Sequence, residues 1–330
     1  MNLLPLQSPP ELLQLEALTR RYRQRDEFYE KIENNYHREK AGYLGEKALQ
    51  YYFNLLKHDS SFTLFDLRAK ANTHYFQIDA LLITRQFILI VESKHTKGVI
   101  TQNNAKQMIQ HVNGESKALQ HPLHQAEIQR RQLENFLITH ELNHLPIFIC
   151  STFTHPEVIL DMQDQPDNLF THHYLLQHIY DLIESHSTPI ISEQLARKIG
   201  LKLRHHHTPR NRHLADYYKL SERDFIRGVF CSECGAAGMK RIYANWECFK
   251  CHKQQNQAHI AALQDLIYLK QEIYFSNQQV RDWLNLESEH TCRRLLNLFP
   301  KIGSYKGTKY NLSSLIPNHF INSISMRDGK

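Results

Sequence analysis

The sequence lacks any long apolar run. Its longest fully apolar stretches, such as Phe87 to Val91, are far too short to span a bilayer, which argues against a membrane-spanning helix. The first residues also lack the charged start, apolar middle and small-residue cleavage site of a secretory signal. We therefore expect a cytoplasmic protein that has no membrane partner.

Cysteine is scarce, with six residues in the chain. Four of them stand in a metal-ligand pattern, and the other two, Cys150 and Cys292, lie in otherwise apolar stretches as small buried thiols do. This distribution predicts no disulfide framework, in agreement with a cytoplasmic location. The sequence shows neither internal repeats nor low-complexity segments.

Length and charge set the broad class of the protein. The 330 residues, of which 41% are hydrophobic, suffice for two or three domains with real cores. Lys and Arg number 40 against 34 Asp and Glu, a net charge of +6 that permits nucleic-acid binding without establishing it. The local distribution of charge must therefore indicate whether the protein binds nucleic acid.

Helix and strand patterns alternate between residues 41 and 185, which predicts one α/β domain. The expected elements are a helix at about 43–56, strands near 62–68, 75–84 and 87–95, a helix at about 122–140, a strand at 146–153 and a helix near 172–185. Between Glu193 and Asp216 no acidic residue occurs, although six Lys and Arg residues do. This composition indicates a basic linker that can make sequence-independent phosphate contacts.

A hairpin joins the second and third predicted strands across Arg85-Gln86. If Thr84 and Phe87 form the last pair, Asp79 lies directly opposite Glu92. Two residues further out, Gln77 lies opposite Lys94, and the period of two places all four side chains on one face. A longer loop or a one-residue slip would remove the pairing of Asp79 with Glu92.

Two opposed carboxylates need a cation between them. Cβ atoms at opposed positions lie about 4.5–5.5 Å apart, and two unit charges ~5 Å apart at an effective dielectric of ~20 repel by roughly 3 kcal/mol. Lys94 alone can supply the cation, as a buried ion cluster without chemistry. The alternative is a hard divalent ion with oxygen ligands, with Lys94 orienting a water or stabilising charge at a phosphate.

A third carboxylate strengthens the second alternative. Glu46 continues the helical face formed by Leu49, Phe53 and Leu56, where a charged residue is unusual. The other explanation is a first-turn glutamate favoured by the helix dipole. Gln125, close to the start of the next predicted helix, is a weaker signal by itself.

The series Ala-Gly-Tyr-x-Gly-Glu46, Asp66-Leu-Arg68, Gln77-Ile-Asp79, Glu92-x-Lys94 and Pro-Leu-x-Gln125 resembles the nuclease-related domain, NERD, of bacterial proteins. The resemblance covers roughly residues 41–155. Because that domain is related to the restriction-endonuclease-like PD-(D/E)xK superfamily, the resemblance implies an α/β fold with a metal-dependent phosphodiesterase core that uses Mg²⁺ or Mn²⁺.

The resemblance also implies roles for individual residues. Asp79 and Glu92 would be metal ligands, Lys94 the catalytic lysine, Glu46 an accessory carboxylate and Gln125 a residue that lines the site. The chain departs from the family pattern at two places. Ile78 stands where the superfamily has proline, and Ser93 and His95 flank Lys94 where an apolar residue and asparagine are more common. Neither departure removes a charged catalytic group.

A strong metal signal follows the basic segment. Cys231, Cys234, Cys248 and Cys251 form two C-x-x-C knuckles separated by thirteen residues, a spacing that closes a tetrahedral Zn²⁺ site in a small ribbon. Four sulfur ligands leave no open position, so the zinc is expected to be structural. Catalytic zinc and redox use of the thiols are the disfavoured alternatives.

The last segment reads as a winged helix-turn-helix. Helices are predicted over 258–271, from the N-cap Ser276 onward and over 289–298, followed by a basic wing within 301–312. Arg293 and Arg294 on the third helix, with Lys306 and Lys309 on the wing, are the expected DNA contacts. A small helical module that binds protein is the alternative. The ribbon and these helices resemble the C-terminal region of a subset of NERD proteins.

Together these patterns predict five segments: a helical arm (1–40), a NERD nuclease-like domain (41–185), a basic linker (186–227), a zinc ribbon (228–257) and a winged helix-turn-helix (258–330). The leading functional hypothesis is a metal-dependent nuclease aimed at DNA by its C-terminal modules. The second is a non-catalytic DNA-binding or regulatory protein that uses the nuclease-like domain as a scaffold. An RNA-processing enzyme is the third, because nothing in the sequence indicates whether a 2′-hydroxyl is recognised. The intact set of Glu46, Asp79, Glu92 and Lys94 favours the first.

Overall fold

A computed structural model describes residues 1–57, 60–71, 73–163 and 165–325. The chain forms two compact units, each built from two separate segments. Unit 1 consists of Met1–Ser8 and Arg38–Pro209, and unit 2 of Pro9–His37 and Arg210–Lys330. No helix in the described ranges is both long enough and apolar enough for a bilayer crossing.

Unit 1 is built around a mixed six-stranded sheet. Its strands, in spatial order, are β1 (Asn2–Leu4), β2 (Phe62–Ala71), β3 (His74–Ile83), β4 (Ile88–Lys94), β8 (Ile147–Phe153) and β10 (Leu169–Thr171). A second sheet has the order β7 (Glu115–Leu119), β6 (Met108–Val112), β5 (Gly98–Gln102) and β9 (Val158–Leu160). The helices are α2 (Glu27–Leu55), which begins in unit 2, α3 (Pro122–Thr139), α4 (Leu175–Ser185), α5 (Glu193–His205) and a short 3₁₀ turn at His172–Tyr174.

Helices cover both faces of the six-stranded sheet. One face packs against α3 and α5, through Leu133, Phe136 and Ile199. The other packs against α2 and α4, through Phe53 and Ile179. Because β3 and β4 are buried on both faces, they carry nearly continuous apolar runs rather than a simple alternation. Unit 1 is thus a layered α/β unit with its strongest core at the centre of the sheet.

The predicted elements of residues 41–185 are largely confirmed, and the second sheet was missed. Strands β5, β6 and β7 consist mostly of half-buried or exposed residues. They therefore lack the apolar alternation on which strand prediction depends. The predicted helix at 43–56 is the last part of a longer helix, α2, which begins at Glu27.

Two of the predicted segments differ in the structure. The helical arm 1–40 contains the edge strand β1 and the helix α1 (Pro10–Arg21), which packs into the core of unit 2. The basic linker 186–227 contains α5, where Ala196, Ile199 and Leu203 are buried. The exposed basic residues between these positions give the segment the composition of a polar linker, although its apolar residues recur at helical spacing. Ser192 caps this helix by accepting a hydrogen bond from the backbone N–H of Leu195 at 3.2 Å.

Unit 2 contains two small sheets and several short helices. The first sheet has the order β11 (Lys240–Ile242), β12 (Asn245–Glu247) and β13 (Gln254–Gln255), and the second β14 (Tyr274–Ser276), β16 (Lys309–Asn311) and β15 (Lys301–Ile302). The helices are α1, the start of α2, α6 (Leu214–Tyr217), α7 (His259–Lys270), α8 (Asn277–Leu284), α9 (Glu289–Leu296), α10 (Asn318–Ser325) and 3₁₀ turns at Glu222–Asp224, Tyr305–Gly307 and Ser313–Leu315.

A single apolar cluster joins the parts of unit 2. It includes Leu18 of α1, Trp246 of the first sheet, Ile267 of α7, Leu296 of α9 and Phe320 of α10. The predicted ribbon and winged helix-turn-helix therefore share one core with α1. A fragment beginning at residue 228 would lose part of that core.

Arg21 is a buried arginine that makes several polar contacts within unit 2. Its side chain is 1% exposed, and its Nε donates to Asp265 Oδ2 at 2.7 Å. Its Nη1 donates to the carbonyl oxygens of Ile226 at 3.1 Å and Gly228 at 2.7 Å. The guanidinium carbon also lies 4.4 Å from the ring centroid of Phe230. The charge of Arg21 is thus buried and paired, and this arginine serves the fold.

We expect Asp265→Ala to lower the free energy of unfolding of unit 2 by about 3–5 kcal/mol, because it leaves the Arg21 charge buried without its carboxylate. Combining it with Arg21→Met should cost less than the sum of the two single changes. Urea titration followed by tryptophan fluorescence reads this unit, since Trp246 and Trp283 are the two tryptophans of the chain. Arg25→Met, at an exposed position, is the control. Additive effects of the paired changes would contradict the assignment.

Candidate functional site

The β3–β4 hairpin has the predicted register. Ala80 pairs with Val91 and Ile83 with Ile88. The backbone N–H of Thr84 donates to the carbonyl of Phe87 at 2.9 Å, which closes the loop. The predicted register is confirmed for these pairs. Continuing it by one residue, beyond the last pair of the ladder, puts Asp79 at the position opposite Glu92.

The Asp79 carboxylate accepts hydrogen bonds from strand β4. Its Oδ2 accepts hydrogen bonds from the backbone N–H of Ser93 at 2.8 Å and from the Ser93 hydroxyl at 2.9 Å. Ser93 is one of the departures from the family pattern. Its hydroxyl makes a contact that an apolar side chain at that position could not.

Glu92 and Lys94 form an ion pair within the site. Glu92 is 1% exposed, and its Oε1 accepts from Lys94 Nζ at 2.6 Å. The same ammonium donates to Gln125 Oε1 at 2.8 Å. Gln129 donates from Nε2 to Glu92 Oε2 at 2.7 Å. The structure therefore brings together Glu92, Lys94 and Gln125, and adds Gln129.

Helix α3 supplies both glutamines. Pro122 occupies the first turn, where its missing N–H costs nothing and its fixed φ favours the helix start. Gln125 and Gln129 are four residues apart and share one helical face. That spacing is the sequence signal that would have identified Gln129.

Glu46 is buried in the middle of α2, with 7% exposure. Because α2 begins at Glu27, a first-turn role at the helix dipole is excluded. Its Oε2 is buried and has no hydrogen-bond partner among the described residues. The preceding Gly45 allows a close approach: an added Cβ would lie 3.2 Å from Ser93 Oγ and from Thr154 Oγ1.

Asp66 is a fourth carboxylate that the site prediction did not include. It lies on β2 between the pairs Phe65↔Ala80 and Leu67↔Ile78, so that its register position is opposite Asp79. Its φ of +46° is unusual for a residue with a side chain and marks local strain. Sequence gives no direct signal for this conformation, although aspartate tolerates it better than most residues.

Gln77 does not pair with Lys94. The β3–β4 ladder ends at the Ala80–Val91 pair, and Gln77 pairs with Arg68 of β2. Its amide donates to Asp66 Oδ1 at 2.7 Å. The predicted pairing of Gln77 with Lys94 is therefore wrong, because β3 follows β2 beyond the end of its ladder with β4.

The carboxylates repel one another in a poorly solvated environment. Burial, followed by repulsion from Asp66 and Asp79, raises the pKa of Glu46 well above its ordinary value. Burial and then Asp79 raise the pKa of Glu92 to about 7, against the opposing effect of Lys94. Burial also raises the pKa of Asp79, although hydrogen bonds from Ser93 oppose it. One lysine does not neutralise this group of acids.

Four cysteines of unit 2 converge. The sulfurs of Cys231, Cys234, Cys248 and Cys251 all lie within 4.8 Å of one another. The Cys231–Cys251 and Cys234–Cys248 sulfur distances are 3.6 and 3.5 Å. Four sulfurs around zinc at ~2.3 Å would be about 3.8 Å apart, so the cluster fits a tetrahedral ion. Among the described residues, no other group of three or more His, Cys, Asp or Glu converges in this way.

The predicted DNA contacts lie on α9, on β16 and in the segment before β16. Arg293 and Arg294 are exposed on α9, and Arg293 Nη2 bonds Glu289 Oε1 at 2.5 Å. Lys309 is exposed on β16, whereas the side chain of Lys306 lies outside the described residues. A cleft of about 550 Å³ borders this region, and three of its lining residues are basic: Arg281, Arg293 and Lys301.

No curated protein and no solved structure matched the chain in comparisons with known proteins. A family model did match. It is the model of the nuclease-related domain, NERD, and it covers residues 41–154, the part of unit 1 that contains Glu46, Asp79, Glu92, Lys94 and Gln125.

Proposed function

We propose that the chain is a divalent-metal-dependent nuclease that hydrolyses phosphodiester bonds in DNA, with a restriction-endonuclease-like core in unit 1. The observation that carries the proposal is the group of buried carboxylates around a single lysine, Lys94. Such an excess of acid destabilises a fold and is characteristic of functional sites. The match of this segment to a nuclease-related domain supports the same chemistry.

A hard divalent ion fits the donor set. Carboxylate oxygens suit Mg²⁺ and Mn²⁺, and Mg²⁺ commonly uses one or two protein carboxylates together with waters and substrate phosphate. Asp79 and Glu92 would hold the ion. The Oε2 atom of Glu46 is a further acceptor, since it is buried without a hydrogen-bond partner among the described residues and the charges of Asp79 and Glu92 raise the pKa of Glu46. When bound, the ion polarises a phosphoryl oxygen and lowers the pKa of a water.

The protein's own groups have distinct roles in this proposal. The Lys94 ammonium, held by Glu92 and Gln125, can stabilise negative charge that develops on a phosphate. Gln129 and Ser93 position Glu92 and Asp79 through hydrogen bonds. Glu46 is the accessory carboxylate.

Asp79→Ala and Glu92→Ala should each reduce metal-dependent DNA cleavage by at least ~100-fold, because a ligand worth several kcal/mol is lost. Cleavage of linear, circular and single-stranded DNA and of RNA would be measured with magnesium, manganese or chelator. Glu134→Gln, an exposed carboxylate on α3, is the control. Both variants should remain folded, since each change relieves repulsion. Undiminished cleavage by both would rule out the site.

A specific contact favours a second candidate function. Ser93 occupies Asp79 Oδ2 with two hydrogen bonds, and Lys94 is already paired with Glu92. This arrangement also suits a non-catalytic DNA-binding or regulatory protein whose nuclease-like domain is a scaffold. Wild-type protein that binds DNA but cleaves no substrate with either metal would support it.

We propose that the cysteine cluster holds one structural Zn²⁺. The convergence of four sulfurs supports this proposal, because four thiolates close a tetrahedral zinc site. Four protein ligands leave no position for substrate. The ion would fix the loops of the ribbon, which otherwise has three very short strands.

Purified protein should contain one zinc per chain. Cys248→Ser should lose the metal and lower the melting temperature of unit 2, because metal binding and folding of such a site are coupled. Metal analysis and thermal unfolding measure these effects. Cys150→Ala, at a buried cysteine of unit 1, should keep full zinc content. Freshly purified protein without zinc would contradict the proposal.

The order of elements from α7 to β16 supports a winged helix. Three helices, α7, α8 and α9, are interleaved with strands whose spatial order is β14, β16 and β15, and residues 303–308 connect the last two strands. Ser276 forms a capping box at the start of α8. We propose that α9 enters the major groove through Arg293 and Arg294, while Lys306 and Lys309 contact phosphates.

Replacing Lys306 and Lys309 with glutamine should reduce the slope of log affinity against log salt by up to about two units, at roughly 0.9 per neutralised phosphate. The full chain is titrated with duplex DNA at several salt concentrations without added divalent metal, since a fragment from residue 228 lacks α1. Lys31→Gln is an exposed control in unit 2. Arg293→Ala and Arg294→Ala should instead cause losses that depend on DNA sequence. Failure of the wild type to bind DNA at low salt would favour a protein partner.

A further inference from the structure

His121 extends a line of polar side chains that leads out of the candidate site. It is the N-cap residue of α3, and His121, Gln125 and Gln129 follow one another at intervals of four residues, so they are neighbours on one face of the helix. Gln129 donates to Glu92. Gln125 accepts from Lys94. His121 is the next side chain on that face, one turn or about 6 Å along the helix from Gln125.

This line of side chains runs from the interior of unit 1 to its surface. Gln129 is 5% exposed, whereas Gln125 and His121 are half-buried and the adjacent His124 is exposed. The Lys94 side chain is 26% exposed, so solvent reaches the site at this end. A strand that reaches Lys94 from solvent therefore comes close to the start of α3, where His121 lies.

The surroundings of His121 determine which ring nitrogen carries the proton. Nδ1 is buried and has no hydrogen-bond partner in the part of the chain that the structure describes, whereas Nε2 is not buried. A proton on Nδ1 would be a buried donor without an acceptor, so the Nε2–H tautomer is favoured. The ring stacks on His124, with centroids 4.6 Å apart and planes at 24°. His121 thus offers an accessible N–H that no described residue accepts.

The charges around the start of α3 favour a negatively charged ligand. The first turn of the helix contains no acidic residue. Glu127, in the second turn, is paired with Arg130 at 2.7 Å and with Arg131 at 3.0 Å. Burial and then the charge of His124 lower the pKa of His121, so its imidazole is neutral at neutral pH and donates through one N–H.

We propose that His121 donates a hydrogen bond from Nε2 to a phosphate of the nucleic-acid strand, next to the phosphate that Lys94 contacts, and so holds the strand in register for cleavage. Hydrogen bonds to an ionised acceptor are stronger than those between neutral groups. Contacts to phosphates fix the position of a strand without reading its bases. The identity of the ligand rests on the nuclease function proposed above.

Steady-state cleavage by the full chain tests this contact. His121→Phe keeps an aromatic ring against His124 but removes the donor, and should raise KM about 10-fold while kcat changes less than about two-fold, because a binding contact is lost. His121→Gln supplies an amide N–H in place of Nε2–H and should restore most of the wild-type KM. His140→Phe, at the other end of α3, is the matched control. An unchanged KM in His121→Phe would overturn the contact.

The pH profile of kcat separates a binding contact from proton transfer. Since a neutral imidazole makes the proposed contact, the wild type and His121→Phe should show the same dependence of kcat on pH. A general acid must instead be protonated to act, so kcat of the wild type would fall as the pH rises through the pKa of His121. Loss of that fall in His121→Phe, together with a lower kcat, would overturn the binding role.

Chemical modification gives a measure that needs no cleavage. Diethyl pyrocarbonate reacts with accessible imidazole nitrogens, and a short phosphorothioate oligonucleotide, added with chelator, should slow its reaction with His121. His144, an exposed histidine after the last turn of α3, should react at the same rate with and without the strand. Protection of His121 in a protein that cleaves no substrate would support the contact and defeat the nuclease function. Cleavage without protection would overturn the contact alone.

Discussion

The register of the β3–β4 hairpin is the constraint on which the candidate site depends. Both strands are buried on two faces, and every pair from Ala80–Val91 to Ile83–Ile88 is apolar. A slip by one residue would reverse the faces of one strand and remove Asp79 from its place opposite Glu92. The loop fixes this register, because the backbone N–H of Thr84 donates to the carbonyl of Phe87 at 2.9 Å and the Thr84 hydroxyl accepts from the backbone N–H groups of Gln86 and Phe87.

Within that frame, the site gathers more negative charge than its own cation can neutralise. Hydrogen bonds from Ser93 and Gln129 satisfy oxygens of Asp79 and Glu92, yet an oxygen of Glu46 stays buried without a donor. The positive φ of Asp66 adds backbone strain next to the same group. Each of these features opposes folding by itself. They persist because the apolar core around β3 and β4 stabilises the strands that carry them.

The sequence could predict the parts of the molecule that follow from local patterns. The hairpin register follows from two apolar strands joined by a two-residue loop, and the cysteine cluster follows from the spacing of its ligands. Asp66 and Gln129 were missed because their roles depend on a backbone conformation and a helix position that only packing defines. The composition of α5 predicts a linker because exposed basic residues dominate it, although Ala196, Ile199 and Leu203 are buried at helical spacing.

Arg21 shows why charge composition alone does not identify a nucleic-acid contact. In the sequence it stands with Arg20, Arg23 and Arg25, a basic run of the kind that also occurs on phosphate-binding surfaces. Its side chain is nevertheless 1% exposed, and it donates to Asp265 and to two backbone carbonyls, so its charge is compensated within the chain. Since the fold itself uses this arginine, its place in a basic run of the sequence carries no information about a ligand.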